Sequence, residues 1–196
     1  MRKVTLLAVF ACTALSSGGA LAASYTFDVD HSNVGFSVKH LMITDVRGNF
    51  AKFTGDLVVD DKDITKSTAS VQIDASSIST MNEKRDGHLK SPDFFDTAKF
   101  PNLTFKSTKV ERSGKLLLVT GNLTIKDVTK AVVLTVEGLD KEIVDPWGNT
   151  RAAAKATTKI NRTDFGLKWN QNLEKGGLLV GEEVAVVIDL EVIKKK

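Results

Sequence analysis

The sequence predicts an all-β fold: an antiparallel barrel of eight strands, broken by one short helical crossover around residues 82–100. Two observations predict it. Apolar and polar residues alternate with period two through most of the chain, giving each segment one apolar and one wet face, as antiparallel strands require. No long helical period or linker intervenes, and short turns such as Ser113-Gly114 and Pro146-Trp147-Gly148-Asn149 join the segments. Eight or nine such strands in one domain either close on themselves or pair as a sandwich, and closure removes the exposed edges.

The chain begins with a leader rather than with the fold. Arg2 and Lys3 form a positive start, Val4 to Leu15 is a short apolar run, and Ala20-Leu21-Ala22 is a small-x-small cleavage signal. Residues 1–22 are read as a signal peptide, too short in its apolar run to span a bilayer. Residues 23–196 are then one domain with a periplasmic or secreted location. The single cysteine, Cys12, lies in the leader. A lipoprotein acylated at Cys12 is the competing reading; bulky Phe10 and the short run before Cys12 stand against it. Without Cys12 the domain has neither disulfides, thiolate metal sites nor a cysteine nucleophile, so its core must hold it. About 170 residues suffice for that.

Removing Arg2 and Lys3 lowers the formal charge from +3 to +1 (3 − 2). Charges of both signs are interspersed, with no basic stripe among aromatics, so nucleic acid is not an expected partner. Lys194-Lys195-Lys196 reads as a solvated end rather than a membrane tether. No later segment is apolar enough to be an integral membrane segment.

The strands follow in order. Tyr25, Phe27 and Val29 alternate with polar residues; Val34, Phe36, Val38, His40 and Met42 share one face of the next run. Ala69, Val71 and Ile73 form another face, as do Leu117, Val119, Gly121, Leu123 and Ile125, then Val132, Leu134 and Val136. Val184, Val186, Ile188, Leu190 and Val192 end the series. The spacing of Phe50 and Phe53 predicts a bulge between them, and "TGDLVVDD" at Thr54 resembles "TGNLTIKD" at Thr120.

A barrel of about eight strands has room inside for side chains or for one small ligand. Ala152, Ala154 and Ala156 fall on one face, and Gly35 and Gly121 add positions without bulk. An inward alanine face leaves space along one wall, so a cavity is expected; a barrel filled by alternating small and large residues is the alternative.

From Met81 to Pro101 the alternation stops. "NEKRDGHL" can form a helical turn or two, and Ser91 before Pro92 reads as a helix start, with Asp93 suited to its dipole. Phe94, Phe95, Phe100 and Phe105 make this crossover a plug, a lid over an opening, or both. Arg85 and Asp86 are expected to pair with each other or with turn backbone.

The stretch "RDGHLKSPDFFDTAKFPNLTFKST", together with "DVDHSNVGFSVKHLMITDVRGNFAKFTGDL", "VTGNLTIKDVTKAVVL" and "NRTDFGL", resembles the YceI family of bacterial exported proteins, in order across the whole chain after the leader. Gly87 departs from the pattern, standing where a larger polar residue is common. The resemblance implies a lipocalin-like barrel whose elongated apolar cavity holds a polyisoprenoid or other long amphiphile. It also implies an exported location and no established catalytic activity.

The expected function is therefore lipid binding: an isoprenoid quinone, polyprenyl or fatty-acyl chain held for transport, storage or sequestration. No cofactor is expected besides this guest, and a homodimer is left open. Val34, Phe36, Val38, Phe50, Val71, Ile73, Leu123 and Ala154 are the expected cavity wall, with His40 and Met42 continuing their strand's face. Phe94, Phe95, Phe100, Phe105 and Trp169 are expected near the crossover or the mouth. Arg47, Arg85, His88 and Asn170 are head-group candidates, with His40 the best placed by parity. An enzyme is the second reading. No GxSxG, HExxH or phosphate loop occurs, although a Ser-His-Asp group assembled in space stays open. Alternation sends Asp30 and His31 to opposite faces. Zinc held by His31, His40 and His88 and a filled structural barrel are the remaining alternatives.

Overall fold

The computed structural model describes residues 22–173 and 176–196. Except for Ala22, the leader and Cys12 lie outside them. Among the described residues ten strands are formed: β1 (Ala22–His40), β2 (Thr44–Phe50), β3 (Phe53–Asp60), β4 (Thr68–Asp74), β5 (Ile78–Ser79), β6 (Asn102–Ser113), β7 (Leu116–Ile125), β8 (Val128–Val144), β9 (Thr150–Asn161) and β10 (Val180–Lys194). One α-helix, α1 (Glu83–Lys90), sits in the crossover from β5 to β6. All pairings are antiparallel, and β10 returns to pair with β1, so the sheet closes.

Ten strands make eight walls because two walls are bent. β2 and β3 together form one wall and β4 and β5 the next, and their corners lie side by side. At one corner the Ala51 N–H donates to the Ser77 carbonyl at 3.2 Å; the Asp74 N–H returns to the Lys52 carbonyl at 2.9 Å. The expected bulge between Phe50 and Phe53 is this corner. Both phenylalanines remain buried, because two intervening residues let the chain turn and still aim both rings inward. The two runs read separately around Tyr25 and Val34 are one long strand, β1, whose register against β10 shifts between Asp28 and Asn33. That bulge hid their continuity: β1 advances five residues where β10 advances two, and an odd excess reverses the parity of every later side chain.

The crossover corrects one expectation. Asn82, not Ser91, caps the helix start: its side chain accepts from the Arg85 N–H at 2.9 Å. Ser91 ends the helix. Pro92 restricts the residue before it to extended backbone, and Ser91 adopts φ −73° and ψ 170°. The Ser91 N–H and hydroxyl then both donate to the His88 carbonyl, a helix-terminal group without an intrahelical partner. Arg85 and Asp86 serve the turn, as expected. Asp86 accepts from the Thr80 N–H at 2.8 Å and from its hydroxyl, while Arg85 donates to the same hydroxyl at 2.7 Å and to the Thr80 carbonyl at 2.9 Å.

The barrel has two ends. At one, here end A, lie the β1–β2 hairpin, both corners, the crossover and the β9–β10 connection. At the other, end B, lie the β3–β4, β6–β7 and β8–β9 connections and the described chain termini. One apolar cluster, which includes Phe50, Phe53, Ile78, Phe94, Phe165 and Leu167, fills end A. End B carries two clusters on facing walls: one around Tyr25, Leu57 and Val192, the other around Val110, Leu117 and Val136.

Candidate functional site: an apolar cavity inside the barrel

Inward positions of the walls enclose a cavity of about 280 Å³ whose accessible lining is apolar. It reaches from Leu89, Phe94 and Phe95 at end A to Ile64 and Leu139 at end B. Arg162, Ser67, Thr68 and Thr158 are the polar side chains on its boundary among the described residues. No carboxylate or histidine among them lines it.

Glycines keep this space open. Three phenylalanine rings of the inner face sit over a glycine of a neighbouring strand. A β-carbon on Gly48 would come within 2.5 Å of the Phe36 ring, one on Gly55 within 2.4 Å of Phe27, and one on Gly121 within 2.3 Å of Phe105. A side chain there would collide with its ring and with a neighbouring backbone carbonyl, so the ring would have to move. The similar "TGDL" and "TGNL" segments are two copies of this device, with Gly55 and Gly121 as the seats. On β9, Ala154 and Ala156 line the cavity. Ala152 is buried beyond it, against the Tyr25 cluster.

End A is sealed by stacked rings and one buried cation. Phe36, Phe50 and Phe95 form a chain with centroids 5.8 Å apart at each step. His88, Phe94 and Trp169 form a second group, with His88 edge-on to Phe94 at 5.0 Å and to Trp169 at 4.8 Å. The Arg162 guanidinium, 5 % exposed, donates to the carbonyls of Gly181 (2.8 Å), Trp169 (3.0 Å), Val180 (3.3 Å) and Leu167. Burial lowers its pKa.

The expected wall residues Val34, Phe36, Val38, Phe50, Val71, Ile73, Leu123 and Ala154 all border the cavity, as do Phe94, Phe95 and Phe105. Phe100 and Trp169 lie at the crossover, as expected, whereas Met42 and His40 leave the wall for identifiable reasons. Met42 lies in the β1–β2 turn at φ 63° and is exposed, because the strand face stops where the chain reverses. His40 is the last residue of β1, past a second register shift against β10, and does not border the cavity. In the crossover Phe100 packs beneath Lys99 and Lys126, whose ammonium groups lie 5.0 and 5.9 Å from its ring centre. Trp169 backs Phe94 from behind, with ring centres 5.3 Å apart.

The head-group candidates are also placed elsewhere. Arg47 pairs with Ser37 on the outer face. Arg85 is committed to Thr80. His88 lies 2.9 Å from Asp93. Asn170 exchanges two hydrogen bonds with the Val180 backbone. Arg162, Ile64 and Leu139 are among the boundary residues that periodicity missed. Ile64 sits in a short 3-10 turn and Leu139 in a bulge of β8 at φ 66°, where alternation carries no information. Arg162 lay in the "NRTDFGL" segment, but a charged residue at a strand end reads as solvated.

Outside the barrel, Asp28, His31 and Glu191 offer ligand atoms within 4.8 Å of one another. The Arg151 guanidinium already holds both carboxylates, contacting Asp28 directly and Glu191 at 2.7 Å. The cluster thus carries its own cation. His31 and His40, nine residues apart on one strand, are separated by roughly 30 Å of extended chain, so the three histidines do not converge.

The chain is similar to known proteins in sequence and in fold. The YceI-like domain matches residues 25–192. Protein YceI of Escherichia coli O157:H7 is 36% identical over the full length of both chains. The crystal structure of a Campylobacter jejuni YceI protein superposes with a TM-score of 0.68 at 31% identity, covering 88% of this chain and 98% of that one. A polyisoprenoid binding domain from Saccharophagus degradans, implicated in plant cell wall breakdown, superposes with a TM-score of 0.63 at 18% identity, covering 87% and 98%. The match from Tyr25 to Val192 and the 36% identity over the full length make this chain a member of the YceI family.

Proposed function

We propose that this protein is an exported, non-enzymatic carrier that holds the chain of a long amphiphile, of isoprenoid or fatty-acyl type, inside the barrel. One observation carries the reading: an apolar cavity that glycine seats and small β9 side chains keep from being filled. The polyisoprenoid binding of the S. degradans neighbour supports an isoprenoid guest, and the leader in residues 1–22 supports export. Without an acid, histidine or thiol on the described lining, the cavity offers no evident acid–base or nucleophilic chemistry.

The magnitudes favour a loose, tail-directed grip. A dry cavity of about 150 Å³ accepts a benzene ring, so about 280 Å³ accommodates on the order of a dozen carbons without rearrangement. At about 0.8 kcal/mol per buried methylene, that is roughly 10 kcal/mol gross, against an association cost of about 4 kcal/mol or more. A twenty-carbon tail would gain roughly 16 kcal/mol gross, but only with its end outside or the wall displaced.

Organic extraction and denaturing mass spectrometry of the purified protein test this. A co-purifying long-chain amphiphile, or stoichiometric uptake of offered geranylgeraniol, is expected. Ala154→Phe and Gly121→Ala should each cut uptake by filling the lumen, one directly and one by displacing Phe105. Protein that is empty and takes up no prenyl alcohol would sink the reading.

A further inference from the structure

A second hollow, of about 380 Å³, lies on the outside of the barrel where β1, β3 and β4 meet. Its rim includes the exposed residues Thr26, Thr54, Ser70 and Gln72. Phe27 and Phe53 border it as well, and both also border the interior cavity. The two spaces stand back to back across these residues.

The ladder is interrupted there. β1 pairs with β3 as far as Thr26↔Asp56 and with β2 from Val34↔Phe50. Residues 27–33 pair with neither, and the register of β1 against β10 shifts between Asp28 and Asn33. The three glycine-seated rings therefore differ in what lies behind them. Phe36 and Gly48 are a ladder pair, and Phe105 and Gly121 stand within the β6–β7 ladder. Phe27 and Gly55 fall just past the last β1–β3 pair, at the outer hollow.

Of the two shared residues, Phe53 is the more firmly held: it is 6 % exposed and pairs with Ile73 of β4. Phe27 is only partly buried. It packs against both the cluster that fills end A and the Tyr25 cluster of end B, so it stands at the waist of the cavity.

We infer that Phe27 sets the length of guest the barrel accepts, by leaving its seat on Gly55 for the outer hollow when a chain longer than about a dozen carbons enters. The inference rests on the proposed lipid guest. A space of about 150 Å³ accepts a benzene ring, so the hollow has room for the phenyl group. Its departure frees lumen for roughly one further isoprene unit, which is close to a phenyl group in size. Without a long guest the ring stays inside, because the rim of the hollow is largely polar whereas the cavity lining is apolar. A longer tail shifts that balance through the methylenes it buries.

Binding of dodecanol and of geranylgeraniol to the full protein tests this. Ser70→Phe adds a ring at the rim, outside the cavity. It should weaken geranylgeraniol binding about tenfold and leave dodecanol unchanged. Asn122→Phe, on the exposed outer face of β7 away from the hollow, should change neither. Phe27→Leu should raise the preference for geranylgeraniol over dodecanol about tenfold, and Ser70→Phe should have no effect in that background. With para-fluorophenylalanine at position 27, the fluorine resonance should gain a solvent isotope shift in deuterium oxide on binding geranylgeraniol and none on binding dodecanol. Wild type that takes up neither alcohol overturns the cavity reading and this inference with it. Uptake of both, with geranylgeraniol unaffected by Ser70→Phe, overturns the role of Phe27 alone and leaves the surplus chain outside the barrel. Should Ser70→Phe lower the melting temperature and both affinities alike, an unchanged preference in Phe27→Leu or an unchanged fluorine resonance overturns it.

Discussion

The two ends of the barrel are closed by different physics. End A is one continuous apolar cluster tied down by hydrogen bonds: Arg162 gathers carbonyls from both sides of the β9–β10 connection, and Asp86 and Arg85 pin Thr80 under the crossover. End B is two clusters on facing walls, with Ile64 packed against both and Leu139 against one. The 3-10 turn carrying Ile64 contains no buried residue. A plug of stacked rings resists opening because many contacts must break together; at end B the side chain that bridges the two clusters is the half-buried Ile64. Of the two readings the sequence allowed for the crossover, plug and lid, its packing favours the plug, so exchange of a guest should be governed by the other end.

The largest expected effect tests the fixed end. Arg162→Met leaves several buried carbonyls without donors, and its loss should cost about 4 kcal/mol. For a chain of this size that lowers the melting temperature by roughly 8–16 °C. A melting temperature within a degree or two of wild type would mean that Arg162 does not organise end A.

Phe94→Ala comes next. Its ring is 6 % exposed and touches His88 and Trp169, so truncation should cost about 3 kcal/mol. Ile64→Ala, at the other end, should cost only about 1 kcal/mol, because the side chain is already half-buried. The kinetic order should be reversed: Ile64→Ala should accelerate release of a preloaded prenyl alcohol more than Phe94→Ala does. Stopped-flow transfer to acceptor vesicles measures both rates. Faster release from Phe94→Ala would put the working opening at end A.

How much of this could be read from the sequence differs between wall and ends. The wall was legible because a strand with one buried side must alternate, and Val34, Phe36, Val38, Val71, Ile73, Leu123 and Ala154 are where alternation puts them. The ends were not, because chain reversals obey local backbone rules instead. Met42 and His40 continue a parity that stops mattering at a turn or a register shift. Ser91 carried the composition of a helix start, yet Pro92 fixes it as a helix stop. Ile64 and Leu139 sit in a 3-10 turn and a bulge, where no period exists. Arg162 has four carbonyl partners spread over residues 167–181 of the folded chain, and nothing in a local window announces that convergence.

The smallest effect is electrostatic and should separate the ends by pH. At end B, burial works to raise the Asp145 carboxyl, but Arg151 and the N–H groups of Asn149 and Trp147 outweigh it and hold it below the usual carboxylate range. Asp28 is held low by Arg151 and by His31 as well. At end A, Asp74 is held low by Ser76 at one corner, whereas the Arg162 cluster bonds only carbonyls. A carboxylate with a depressed folded pKa contributes stability that is complete above its unfolded pKa of about 3.9 and disappears as pH falls through the folded value. Acidification from pH 6 toward pH 3 should therefore loosen the Asp145–Asn149 turn before the 165–169 segment. Native-state hydrogen exchange, corrected for intrinsic rates, should show the Gly148 and Asn149 amides losing protection while Gly166 and Leu167 keep theirs. In Asp145→Asn the turn should be less protected at pH 6 and nearly independent of pH. If both ends lose protection together, acid is acting on the barrel as a whole, and the ends are one cooperative unit rather than two.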